Sequence, residues 1–166
     1  MIDDAESQAL LQLRHKTLLT LHNISELGVL LEGSFITEWD ETLGMIANRL
    51  ATLEQENENL FRLARASQSL SSHQRRRVHN LAALTIAQFH ATWIFWNRIA
   101  LPEGTLGSDF YPGSDVSSRA DEIISLLSSN HKSSSLNLLQ AIWPLFYAAI
   151  ETESRYFSLH SFCYTT

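Results

Sequence analysis

The stretch LLQAIWPLFYAAIETESRY, Leu138 to Tyr156, sets a proline in the middle of what otherwise reads as a helix. Proline has no backbone N–H, and its ring clashes with the carbonyl four residues back, costing about 3 kcal/mol in a helix interior. Strong helix formers still flank Pro144, and Leu138 to Ile150 is apolar apart from Gln140 and the proline. A helix apolar on every side is a buried one. Trp143 precedes proline and is disfavoured in the α region, so the bend is expected between Gln140 and Pro144. The stretch is predicted to form a kinked core helix, the competing reading being two helices joined at Trp143. Glu151 and Arg155 follow at the favourable i, i+4 order for an ion pair.

Upstream, helical periodicity recurs. The three prolines are Pro102, Pro112 and Pro144, so Met1 to Leu101 is free of the strongest helix breaker. Leu10, Leu11, Leu13, Leu18, Leu21 and Ile24 mark a first helix, Leu10 to Leu31, with Gly28 and Gly33 as punctuation and a turn near Glu32 to Ser34. A second helix is predicted over about Thr37 to Ala66. In it Leu43, Ile46, Leu50, Leu53, Asn57, Leu60 and Ala64 step by three and four, a short heptad pattern with asparagine at one core position. Arg49 and Glu54 fall where parallel chains would pair, but an amphipathic helix packed inside its own domain explains the pattern more simply. Ser71 and Gln74 have capping-box spacing, opening a third helix that continues to Ala100. A loop, LPEGTLGSDFYPGSDVSS, covers about 101–118, and Ala120 to Ser129 forms a short amphipathic helix before the serine-rich break NHKSSS. No stretch keeps strict apolar–polar alternation. The chain therefore reads as all-α: one helical domain over 1–166, an irregular multi-helix bundle of about five to six helices with a Pro-kinked central C-terminal helix.

Composition narrows the function classes. The 166 residues carry a net charge of −6, which disfavours nucleic acid as the partner of the whole surface. The single cysteine, Cys163, gives no internal disulfide and no thiolate metal cluster. The acidic start MIDDAESQ lacks the features of a signal peptide. Leu81 to Leu101 is long enough to span a bilayer, but Gln88, His90, Asn97 and Arg98 are expensive in lipid, so it reads as a buried or amphipathic helix.

Several constellations could carry chemistry, and each has a plainer reading. His15, His22 and Glu26 share a helix face but lack the H-E-x-x-H or E-x-x-H spacing of helical metal enzymes, and read as surface groups. The basic run HQRRRVH, His73 to His79, suits a phosphate-contacting or nuclear-import patch, or more simply a solvated helix start. Glu54, Glu56 and Glu58 read as a solvated acidic face. His160, Ser161 and Cys163 are sequence neighbours without a nucleophile elbow. Phe89, Trp93 and Trp96 share one face, a core stripe that predicts packing of the third helix on the last. No catalytic residue, metal ligand set or cofactor is nominated.

One resemblance adds to this. SRADEIISLL, a serine-rich break, and LLQAIWPLFYAAIETESRY together resemble the C-terminal regulatory domain of fungal-specific transcription factors of the zinc binuclear-cluster type. Trp143, Pro144, Leu145, Phe146 and Glu151 match its W-P-L-F pattern, and FHATWIFWNRIAL looks like its preceding aromatic helix. The similarity covers about residues 84–157. Ala149 stands where that family commonly has glycine, Thr152 where it has alanine, and no cysteine-rich zinc cluster is present. The resemblance implies a partial regulatory domain in the nucleus that works through protein partners or a small effector, with no direct nucleic acid binding and no membrane. Without it, a cytoplasmic helical protein is expected. Competing readings are a small ligand- or metal-binding helical enzyme, and a self-associating protein that dimerises through Leu43, Ile46, Leu50, Leu53, Asn57 and Leu60.

Overall fold

The computed structural model describes residues 2–31, 40–66, 73–100, 116–131 and 138–163. They form six helices: α1 (Ile2–Leu31), α2 (Asp40–Glu56), α3 (Glu58–Arg65), α4 (His73–Ala100), α5 (Val116–His131) and α6 (Leu138–Cys163). No described residue is in a strand, and the all-α bundle expected from periodicity is the fold observed. No described helix is long and apolar enough to cross a membrane.

The helix buried all round is α4 rather than α6. Every residue from Ala82 to Ile94 is buried, because α1, α3, α5 and α6 all pack against it. Two apolar clusters share its circumference. The larger joins Ile86, Phe89, Trp93 and Trp96 to Leu10, Leu13, Ile24 and Leu27 of α1, to Leu43, Leu50 and Leu53 of α2, and to Leu60 and Phe61 of α3. The smaller sets Leu84, Ala87, Ala91 and Ile94 against Ala120, Ile123 and Leu127 of α5 and Ala141 and Ala148 of α6. Its five alanines let three helices approach closely.

The inward stripe of α1 is Leu10, Leu13, Thr17, Thr20, Ile24 and Leu27, stepping by three and four. Two of the leucines that mark this helix in the sequence, Leu11 and Leu18, lie outside it and are exposed. Thr17 and Thr20 take inner positions because their hydroxyls donate back to the carbonyls of Leu13 (2.8 Å) and Lys16 (2.9 Å), which removes the cost of burying them. Gly28 does not end α1. It sits where a Cβ would come within 3.0 Å of Ile99 Cδ1, so any larger residue there would need that methyl group of α4 to shift.

The second helix expected over Thr37 to Ala66 is in fact two. The break falls at Asn57, whose backbone leaves the helical region (φ −114°, ψ 20°) while its Nδ2 donates to the Leu53 carbonyl at 2.8 Å. The Asn57 carbonyl then receives the N–H groups of Leu60 (2.8 Å) and Phe61 (3.3 Å), starting α3. Asn57 is thus the joint between α2 and α3. Leu43, Ile46, Leu50, Leu53 and Leu60 are buried within the chain, as the in-domain reading of the pattern expects and the competing homodimer reading does not.

A single helix runs through Pro144, which removes the two-helix reading of that segment. Helix α5 begins at Val116, three residues inside the stretch read as a loop. The rest of that loop, the Glu32 to Ser34 turn and Ser71 of the capping box lie outside the described residues.

Candidate functional site

Two features stand out from the packing: a buried ionic node around His90, and an apolar face of α6. The node draws one or two groups from each of four helices. His90 projects from α4 between the two apolar clusters, 1% exposed, against the rings of Phe61 and Phe89. From α5, Arg119 Nη1 donates to His90 Nδ1 at 2.9 Å. The same guanidinium forks onto Glu54 of α2, with Nη2 2.8 Å from Oε2 and Nη1 3.3 Å from Oε1, and lies 4.7 Å above the Trp93 ring centre. Glu122, one turn further along α5, is gripped by Arg65 of α3 through Nε (2.6 Å) and Nη2 (3.0 Å).

Hydrogen-bond chemistry fixes the state of the histidine. A guanidinium has donors only, so His90 Nδ1 must accept, and the ring proton sits on Nε2. Nε2 is 3.3 Å from Glu122 Oε2, close enough for attraction but off the line of a well-formed hydrogen bond. Burial lowers the His90 pKa, and the contact with Glu122, which favours the protonated ring, does not offset it. Burial also pushes the Glu122 carboxyl up, but the contact with His90 and the two hydrogen bonds from Arg65 outweigh this and hold it down at about 2. With His90 neutral, two carboxylates balance two guanidiniums. The ring is closed to solvent and its one lone pair is occupied, so it is not placed to take a proton from a substrate. The node is a cross-link of α2, α3, α4 and α5.

The other feature is the outer side of α6. Trp143 and Tyr147 pack beside the smaller cluster, with ring centres 5.2 Å apart, and Tyr147 meets Phe95 of α4 at 5.5 Å. Pro144, Ala141 and Ala148 are buried on the same side. Glu151, whose expected i+4 partner Arg155 has its side chain outside the described residues, is held by Arg98 of α4, Nε to Oε1 2.6 Å. This fixes the inner face. The outer face shows Ile142 (58% exposed), Leu145 (40%) and Phe146 (58%), at i, i+3 and i+4, with no charged residue anywhere from Leu138 to Ile150. Exposed leucines also occur on α1, but Arg14, His15 and Lys16 fall between Leu11 and Leu18. On α6 the three exposed apolar side chains stand within one turn and a charged residue does not interrupt them.

The residues singled out by motif are dispersed. The W-P-L-F residues divide: Pro144 faces in, Trp143 is half-buried, and Leu145 and Phe146 face out. His15 is exposed, and His22 and Glu26 form a surface pair at 3.4 Å. Among the described residues no three His, Cys, Asp or Glu side chains are grouped to hold a metal. Of the basic run, Arg76 and Arg77 are exposed, while His79 turns inward with Nε2 3.0 Å from the Ala66 carbonyl. Glu56 and Glu58 do not share their setting with Glu54, which Arg119 claims, so the three are not one solvated face. Phe89, Trp93 and Trp96 are core, Trp93 and Trp96 meeting edge to face at 5.4 Å. The aromatic helix does pack on the last one, through Phe95 against Tyr147 and the smaller cluster, but the Phe89, Trp93 and Trp96 stripe itself packs in the larger cluster with α1, α2 and α3. Sequence reasoning alone misses the node: its only trace is a histidine within the apolar run of α4 and an arginine three residues before a glutamate in α5.

Among the described residues, fold and site define an all-α bundle of six helices cross-linked by a buried ionic node, with an uncharged apolar face on α6. Comparison with protein-family models, with curated proteins and with solved structures found no match for the chain.

Proposed function

We propose that the chain is a regulatory, protein-interaction domain that acts by docking a partner on the outer face of α6, with no chemical step of its own. The observation that carries this is the exposed triplet Ile142, Leu145 and Phe146 on a helix whose opposite side is anchored by Trp143, Tyr147 and the Glu151–Arg98 pair. Large apolar side chains grouped at i, i+3 and i+4 suit a partner's groove or helix. The buried node supports the same reading from the other direction, since its polar groups are spent on holding helices together.

The resemblance of Trp143, Pro144, Leu145, Phe146 and Glu151 to the fungal transcription-factor regulatory domain gives the proposal its finer form. On that reading the partner belongs to the transcription machinery or its regulators, the compartment is the nucleus, and DNA contact is made by a separate zinc-cluster region. The transcript upstream of the Met1 codon tests it. An in-frame segment encoding six clustered cysteines is expected, and a complete unrelated reading frame there would refute the transcription-factor assignment.

A further inference from the structure

We propose that the node around His90 is a proton-sensitive latch: protonating the ring expels Arg119 from Nδ1 and loosens α5, together with the α2 that Arg119 holds, from α4. Nδ1 has one lone pair, and Arg119 Nη1 uses it at 2.9 Å. A proton on Nδ1 would turn an acceptor into a donor facing a donor, and would bring two positive charges into contact inside the bundle. Both arrangements cannot coexist, so the node has two states. Arg119 can retreat while keeping its fork on Glu54, which makes α4 the element released.

The charged groups around the ring are Glu54 of α2, Arg119 and Glu122 of α5, and Arg65 of α3 behind Glu122. Among the described residues α1 and α6 bring no charged group against it. Glu122 lies on the Nε2 side and favours the protonated ring, but its charge is already taken up by Arg65. The ring in the folded protein therefore binds its proton less readily than in the unfolded chain, in line with its lowered pKa. A group of this kind contributes fully above its unfolded value, near 6.5, and the contribution is lost as pH falls below that value.

The test is chemical unfolding of the full chain across pH 7.5 to 5, for the wild type and for His90→Gln. Glutamine can accept from Arg119 and donate to Glu122, and it does not titrate in this range. The folding equilibrium constant of the wild type is expected to fall by up to about tenfold per pH unit below about 6.5 relative to the variant, one proton's worth. Parallel curves would overturn the proposal. Should His90→Gln fail to fold, nitrogen NMR of the histidine rings in the wild type decides. A bare Nδ1 and a protonated Nε2 at pH 7, persisting well below pH 6.5, are expected of His90. A ring protonated on Nδ1 at pH 7, or one titrating at the ordinary value, would overturn it.

Discussion

Arg119 shows how one side chain can hold a fold that no motif announces. It touches Glu54, His90 and the Trp93 ring at once, and so ties α5 to α2 and α4. Arg119→Ala leaves Glu54 half-buried without its fork and His90 without its donor. Urea unfolding is expected to show a loss of about 2–4 kcal/mol. Glu122 gives a second, pH-resolved test. Its carboxyl is held at about 2 in the folded protein, below the 4.5 of a free glutamate, so its contribution is present above about pH 4.5 and lost as pH falls toward 2. Glu122→Gln should be less stable than the wild type at pH 7, by roughly 1–2 kcal/mol, and the gap should close in acid. An opposite case is Gly44, inside α2, where an added Cβ would meet nothing within 4 Å. Gly44→Ala should stabilise the protein by about 0.5–1 kcal/mol in the same assay.

Among the helices, α1 separates what a sequence reveals from what it conceals. That α1 is a helix is legible from its leucines, but which face turns inward is not. Hydropathy favours Leu11 and Leu18, while the fold buries Thr17 and Thr20. A threonine that bonds its own helix carbonyl is apolar on its outer surface, and hydropathy counts cannot register that. The inversion is directly checkable by thermal unfolding: Thr17→Asp is expected to cost more than about 3 kcal/mol and Leu18→Asp less than about 1 kcal/mol. The break at Asn57 is hidden as well, since the apolar steps continue across it while the backbone at that one residue leaves the helical region. Pro144 lies within one helix, as the helix formers on both sides of it imply, yet that helix is not surrounded. Its apolar composition serves two faces, one packed and one bare.

Across the whole molecule, α4 is the organising element, and its aromatic face makes the core of the bundle. Phe89, Trp93 and Trp96 reveal that core in the sequence, because side chains of that size must be buried at helical spacing. The ionic node stays hidden there, since it is assembled from positions as far apart as Glu54 and Arg119 and depends on how four helices meet. The candidate interaction face is half legible: the apolar run Leu138 to Ile150 is plain, but only the fold separates Trp143, packed beside the smaller cluster, from Phe146, which is not. The proposal that the protein acts through this bare face is tested most directly by fusing the full chain to an unrelated DNA-binding module and measuring a reporter gene. The fusion is expected to change expression several-fold, and Phe146→Ser with Ile142→Ser is expected to return it to the level of the module alone, with thermal unfolding within about 0.5 kcal/mol of the wild type. Unchanged expression with the wild-type fusion, or full activity in the doubly substituted one, would contradict it.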